Sequence, residues 1–217
     1  MIKRYKGKLI LASIVILLPV IAGLILWTKL PDELPVHWNI RGEIDGWGSK
    51  SLLVFGLPFF LLIIQWVGIL ATAADPKKQN HTEKILGLAL WICPVLSLML
   101  SIISYGTALG IAFKVDKIML IMMGIMFIVI GNYMPKCKQN YTIGIKLPWT
   151  LNDEENWNRT HRISGKLWFV AGIVLAFCVL LPTNIMAVVV VGCFIVAILV
   201  PTVYSYCLHR KKTKDGE

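Results

Sequence analysis

The 22 basic and 12 acidic side chains of this 217-residue chain are crowded into 84 positions. The other 133 residues form five stretches without a single Asp, Glu, Lys or Arg, at 9–28, 51–74, 85–113, 118–135 and 167–208. Crossing roughly 30 Å of hydrocarbon takes about 20 apolar residues in a helix, because every backbone polar group must be bonded within the segment. Stretches of 20, 24, 29, 18 and 42 residues therefore read as membrane spans. Charged residues make up 16% of the chain and the mean hydropathy is +0.71, whereas a soluble domain carries about 25% charge spread over its length. This excludes an ordinary soluble enzyme, a disordered tail and a disulfide-stapled secreted scaffold.

The longest stretch is too long for one helix. At 1.5 Å per residue it would reach about 63 Å, roughly twice the bilayer core. Pro182-Thr183-Asn184 divides it, since Pro stops a helix and Asn favours a turn. The expected spans are 9–29, 51–73, 85–106, 118–134, 164–181 and 185–207, with Gly106 to Gly110 forming the exit of the third. Lys3, Arg4, Lys6 and Lys8 resemble the start of a signal peptide. The apolar run behind them exceeds a typical signal core and no A-x-A site comes after it, so it reads as a retained anchor. The expected fold class is all-α: a polytopic membrane protein with a bundle of six transmembrane helices, one structured outer loop and one structured inner loop. Residues 1–84 form an N-terminal module with two spans and the outer loop 30–50. Residues 85–217 form a C-terminal module with four spans and the inner loop 131–166.

Basic residues fix the orientation. With the N-terminus inside, 17 of the 22 Lys and Arg fall in inner segments and 5 in outer ones, a strong positive-inside bias. It places both termini on the cytoplasmic side of the membrane. A net charge of +10 then reports topology and no direct nucleic acid binding. The sequons at Asn80, Asn140 and Asn158 fall in inner loops, where they escape glycosylation. Five cysteines (Cys93, Cys137, Cys178, Cys193, Cys207) show no CxxC and read as small membrane-core residues rather than disulfide or metal partners.

Two loops are too rich to be connections. The outer one, Leu30-Pro31-Asp32-Glu33-Leu34-Pro35-Val36-His37-Trp38-Asn39-Ile40-Arg41-Gly42-Glu43-Ile44-Asp45-Gly46-Trp47-Gly48-Ser49-Lys50, holds four acids against two bases. Its two readings are an interfacial cap with Trp38 and Trp47 in the aromatic belt, and a recognition surface for an external cationic or amphipathic ligand built on Asp32, His37, Trp38, Asp45 and Trp47. A metal on His37 and its neighbouring acids has no diagnostic ligand spacing, so no metal and no cofactor is expected. In the inner loop, the segment from Thr150 reads as a surface helix over 150–165. Thr150 or Asn152 is the N-cap, Asp153-Glu154-Glu155 the acidic first turn, and Arg159, His161 and Arg162 the basic end. Trp157 and His161 are four apart and share a face.

No enzyme is expected. Glu154-Glu155 with Arg159 spells the EExxxR of intramembrane peptidases, but no FxxxH accompanies it and no His lies inside an apolar run. HExxH, GxSxG and Walker A motifs are absent. A small-solute or peptide transporter is the alternative, though the spans carry no ionisable residue. Gln65 is the one strongly polar side chain deep in a span. Ser97, Ser101 and Ser104 make a stripe that reads as a helix–helix contact.

Together, LPDELPVHWNIRGEIDGWGSK outside and GNYMPKCKQNYTIGIKLPWTLNDEENWNRTHRISGKLWFVAG inside resemble the two signatures of the SdpI family of Bacillus-type membrane proteins. The matching positions outside are Pro31, Asp32, Pro35, His37, Trp38, Gly42, Asp45 and Trp47. Inside they are Asn132, Pro135, Asn140, Gly144, Pro148, Trp149, Trp157, Thr160, His161, Arg162 and Gly165. The resemblance implies an immunity protein embedded in membrane lipid that neutralises a secreted peptide toxin. It further implies toxin sensing, with capture of a cytoplasmic ArsR-type autorepressor at the membrane. For the inner positions it implies a partner-binding or structural role.

Overall fold

The computed structural model describes the backbone of residues 2–215 and the side chains of residues 5–214. The side chains of Lys3 and Arg4, two of the basic N-terminal residues, lie outside that range. In chain order the elements are α1 (Ile2–Ile25), β1 (Glu33–Trp38), β2 (Ile44–Ser49), a π-turn (Leu52–Gly56) running into α2 (Leu57–Ala74), α3 (Glu83–Ala108), α4 (Val115–Tyr133), α5 (Pro148–Asn152), α6 (Glu154–Cys178) and α7 (Thr183–Asp215). Short 3₁₀ turns occupy Lys78–Asn80 and Met134–Lys136. Six of the helical segments are long and apolar enough to cross a bilayer. The chain is an all-α, multi-pass membrane protein with a small β-hairpin in the loop after its first helix.

The chain divides into two compact units. The first comprises Met1–Ala74 and Leu86–Asp116, the second Asp75–Ile85 and Lys117–Glu217. α3 belongs to the first unit because it packs with α1 and α2. The stripe predicted on α3 is the reason. Ser97 donates to the Ile16 carbonyl at 2.8 Å, and Ser104 donates to the Pro35 carbonyl at 2.7 Å. Apolar layers pack the same helices along their length. Leu9, Ala12 and Leu90 form one layer, Ile16, Leu61 and Cys93 the next, and Leu34, Leu53, Val54 and Tyr105 the one under the hairpin.

In the second unit, α4 and α6 meet backbone to backbone. A Cβ on Gly131 would lie 2.5 Å from the Phe169 nitrogen, and one on Gly172 would lie 2.6 Å from the Gly124 carbonyl oxygen. Gly124 and Gly131 face Gly172 and Gly165 in antiparallel order, two small-residue contacts two turns apart on each helix. Such close approach is the main source of helix affinity in lipid, where apolar burial gives none. Phe127 stacks on Trp168 at 4.5 Å, and Trp168 donates its indole N–H to the Ala197 carbonyl at 3.1 Å, tying α6 to α7.

Several boundaries differ from expectation. The fourth span, the break at Pro182-Thr183-Asn184 and the exit at Gly110, whose φ is +89°, stand as predicted. The surface helix expected over 150–165 and the span expected from 164 are one continuous helix, α6. Nothing between them breaks a helix, since Gly165 is held against Pro135 and Gly131. The N-cap is Asp153, not Thr150 or Asn152. Its carboxylate accepts from the N–H groups of Glu155 at 2.9 Å and Asn156 at 3.1 Å, while Thr150 and Asn152 belong to the short α5. All five cysteines are unpaired.

Candidate functional site

The outer loop folds as an antiparallel hairpin. β1 pairs with β2 from Glu33 opposite Ser49 to Trp38 opposite Ile44, with the register slipping around Val36 and His37. The tip is organised by Asn39, whose side-chain oxygen accepts from the N–H groups of Arg41 at 2.8 Å and Glu43 at 3.1 Å. Gly42 adopts a φ of +75° there, which only a residue without Cβ takes at no steric penalty. At the base, Lys50 donates to the carbonyls of Trp27 at 3.2 Å and Leu30 at 2.9 Å, which receive no intrahelical donor beyond the end of α1. Leu34 is completely buried.

This frame presents His37, Asp45 and Trp47 outward. His37 Nδ1 donates to Asp45 Oδ1 across the strands at 2.5 Å, with both side chains exposed. Trp47, opposite Pro35, is 56% exposed. Trp38 is half-buried. Asp32 is not part of the His37–Asp45 pair; its carboxylate, fully exposed, lies 3.2 Å from Lys50 Nζ at the hairpin base. Among the described residues no group of three His, Cys, Asp or Glu is placed to hold a metal.

The inner loop is built in the opposite manner. Trp157, Thr160 and His161 are buried to within 1% of full enclosure. Trp157 and His161 stack at 4.0 Å with 20° between their planes, as their shared helix face predicts. Trp157 donates its indole N–H to the Cys137 carbonyl at 2.7 Å. His161 Nδ1 donates to the Trp157 carbonyl at 2.8 Å, and its Nε2 accepts from the Ile145 N–H at 3.0 Å. One nitrogen must donate and the other must accept, so the ring is neutral and its tautomer is fixed. Gly144, at φ +130°, lies over this stack; a Cβ there would meet His161 Nε2 at 2.6 Å and Trp157 at 2.8 Å.

The remaining inner positions close the loop around that stack. Asn140, buried, accepts from the N–H groups of Thr142 at 2.9 Å and Ile143 at 2.7 Å and donates to the carbonyls of Lys138 and Ile143, both at 2.8 Å. Pro148 opens α5. Trp149 donates to the Ser205 hydroxyl at 2.7 Å and lies parallel to the His209 ring. Pro135 abuts Gly165. Asn132 and Arg162 are exposed. Thr160 joins a polar ladder on α6: it donates to Asn156 Oδ1 at 3.0 Å, Asn156 also accepts from Ser205 at 2.8 Å, and Ser164 donates to the Thr160 carbonyl at 2.6 Å.

Sequence reasoning missed the clamp on the other side of the loop. Asp75 and His81, both fully enclosed, lie 3.1 Å apart. Asp75 accepts from the N–H groups of Lys77 at 2.7 Å and Tyr141 at 2.9 Å and from the Thr142 hydroxyl at 3.0 Å. Burial acts to raise the Asp75 pKa, but these donors together hold it below the ordinary carboxylate value. Lys77 donates to Gln139 Oε1. Asn80 reaches the Gln139 carbonyl at 2.7 Å, and Gln139 passes the link to the Thr150 and Leu151 carbonyls. Asp, His and Thr here are no nucleophile relay. The same His81 nitrogen faces Asp75 and, at 3.2 Å, the Thr142 hydroxyl, whereas a relay needs one ring nitrogen for each. No local signal marks the clamp, because its halves are some 60 residues apart. The ladder did have a signal: Asn156, Thr160 and Ser164 recur every four residues, the spacing of one buried polar face.

These features define a multi-pass membrane protein with an exposed hairpin and a buried, hydrogen-bonded loop assembly. The model of the SdpI/YfhL protein family matches residues 136–205, from the inner loop through α6 into α7. A domain of unknown function, DUF1648, matches residues 14–62. The chain is similar throughout to the immunity protein SdpI of Bacillus subtilis (strain 168), with 28% identity over 204 residues, 94% of this chain and 97% of that protein. No solved structure matches. The resemblance read from the two loops is thereby borne out.

Proposed function

We propose that this chain is a membrane immunity protein that protects its cell from an exported peptide toxin. The observation that carries the reading is the similarity to an immunity protein along almost the whole of both chains. In the finer form of the proposal, both termini and the inner loop are cytoplasmic, as the 17-to-5 basic split favours. The outer hairpin contacts the toxin through Asp32, His37, Trp38, Asp45 and Trp47, and the toxin-engaged protein captures a cytoplasmic ArsR-type repressor. Exposed aromatic and acidic groups on a braced hairpin suit a cationic or amphipathic peptide. A soluble partner would meet the exposed inner residues, Arg162, Lys138, Tyr141 and Lys146; Trp157 and His161 hold the surface that carries them.

The proposal includes no catalysis and no direct contact with nucleic acid. The transporter alternative has less support: the hydroxyls of Ser97 and Ser104 are taken up by backbone carbonyls, and the charge-free stretches carry no ionisable pair. The test is expression in a toxin-sensitive strain, scoring survival together with membrane localisation of a fluorescently tagged repressor. Survival with repressor recruitment supports the full proposal. Survival without recruitment limits it to immunity. No survival at normal membrane level overturns it.

A further inference from the structure

We propose that the first unit carries an intramembrane binding site, centred on Gln65, for a neutral group that both donates and accepts hydrogen bonds. Gln65 lies in the middle of α2 on its inward face. One turn earlier, Leu61 packs with Ile16 and Cys93. One turn later, Ile69 packs on Leu9, Ala12 and Leu90. Gln65 therefore enters the three-helix core at the level of 12–16 on α1, where Ser13 sits. The residue is 6% exposed, and neither its Oε1 nor its Nε2 has a hydrogen-bond partner. The Ser13 hydroxyl is likewise buried and unpartnered.

A primary amide in hydrocarbon without partners is strongly unfavourable. As a device for holding helices together it would bond across the interface, as Ser97 does to Ile16. Gln65 instead keeps two donors and an acceptor free inside the bundle. The surroundings dictate the chemistry of the occupant. The stretches 9–28, 51–74 and 85–113 contain no charged residue, so an ion would enter without a counterion, at a large desolvation penalty. The group that fits is uncharged and carries both a donor and an acceptor. Water and a peptide amide share that chemistry.

The three glutamines of the chain, Gln65, Gln79 and Gln139, make the test internally controlled. Gln79 is exposed, and Gln139 is bonded to the Thr150 and Leu151 carbonyls. The full-length protein, labelled with ¹⁵N at glutamine side chains in detergent micelles, is assigned by the pair of signals lost in Gln65→Leu. Should that variant fail to fold, Gln79→Lys and Gln139→Glu assign the other two pairs. Cross-relaxation to water is measured first, and then titration with N-methylacetamide and with N,N-dimethylacetamide, which lacks the N–H. A saturable shift of the Gln65 signals with N-methylacetamide, smaller with the dimethyl compound, identifies a peptide-amide site. Cross-relaxation to water well above that of Gln139, with no shift on titration, identifies water as the occupant. A Gln65 pair that neither contacts water nor shifts with either amide is bonded within the fold and overturns the proposal.

Discussion

The outer hairpin and the inner loop look alike in sequence, both dense in Trp, His, Gly, Pro and Asn, and the fold uses them in opposite ways. In the hairpin, the backbone is braced by Lys50, Asn39 and Leu34, and His37, Asp45 and Trp47 are exposed, with His37 and Asp45 bonded to each other. In the loop before α6 and on α6 itself, Trp157, His161, Asn140 and Thr160 are enclosed and each is bonded to the loop, the helix or both. A loop with this much irregular backbone has many N–H and C=O groups that no helix satisfies, and buried ones must find partners. The inner motif is therefore chiefly a set of such partners. The outer motif is chiefly a set of presented side chains. Residue density alone does not separate the two; burial does.

The comparison is broken most easily at the inner stack. Trp157→Ala should destabilise the protein by about 3–5 kcal/mol, as truncation of a fully buried aromatic does, and lower its amount in the membrane. Gly144→Ala should act in the same direction through its positive φ and its contact with His161. Thermal unfolding in detergent, monitored by size exclusion, checks both. Next in size is the clamp. Asp75→Ala removes the acceptor for four donors, from Lys77, His81, Tyr141 and Thr142, and an unsatisfied buried donor costs roughly 1–3 kcal/mol. A midpoint unchanged from wild type would show that the 75–85 segment is not held by the 137–142 loop.

At the hairpin the expectation reverses. Trp47→Ala should change stability by no more than about 0.5 kcal/mol, yet reduce toxin affinity by about tenfold or more. That is read as lost survival at unchanged membrane level. Full protection by the Trp38→Ala/Trp47→Ala pair would return the hairpin to an interfacial cap. The smallest structural effect is expected from Arg162→Ala. This exposed residue should leave folding and protection intact and weaken repressor recruitment alone.

Orientation has its own check. A single cysteine at Tyr141, which is exposed, should react with an impermeant reagent only after the cells are opened. Labelling in intact cells would invert the topology. Asn140 next to it is buried and would be silent from either side.

The six spans were legible because charge-free length and proline are local signals. The surface helix expected apart from the fifth span is part of it: Arg159, Arg162 and Lys166 bound the charge-free stretch but do not end the helix, and Gly165 is a close contact with α4. The same glycine had a readable counterpart: Gly124 with Gly131, and Gly165 with Gly172, repeat at seven residues on two helices. The hairpin was not legible as strands. Pro35 interrupts the alternation of β1, and Gly46 and Gly48 weaken that of β2. In the inner loop the shared face of Trp157 and His161 could be read from helical spacing, but its burial depends on Gly144 and Ile145 folding over it. Asp75 and His81 could not be found at all, since a partnership between distant loops leaves no trace in either.

The measurement that bears most directly on the contrast is survival under toxin, normalised to the amount of folded protein in the membrane, for Trp47→Ala and Trp157→Ala in one strain. The account predicts that Trp47→Ala lowers survival per folded molecule at wild-type abundance. Trp157→Ala should lower abundance while each folded molecule protects as well as wild type. A Trp157→Ala protein that accumulates normally and fails to protect, beside a Trp47→Ala protein that protects fully, would place recognition in the inner loop and contradict the account.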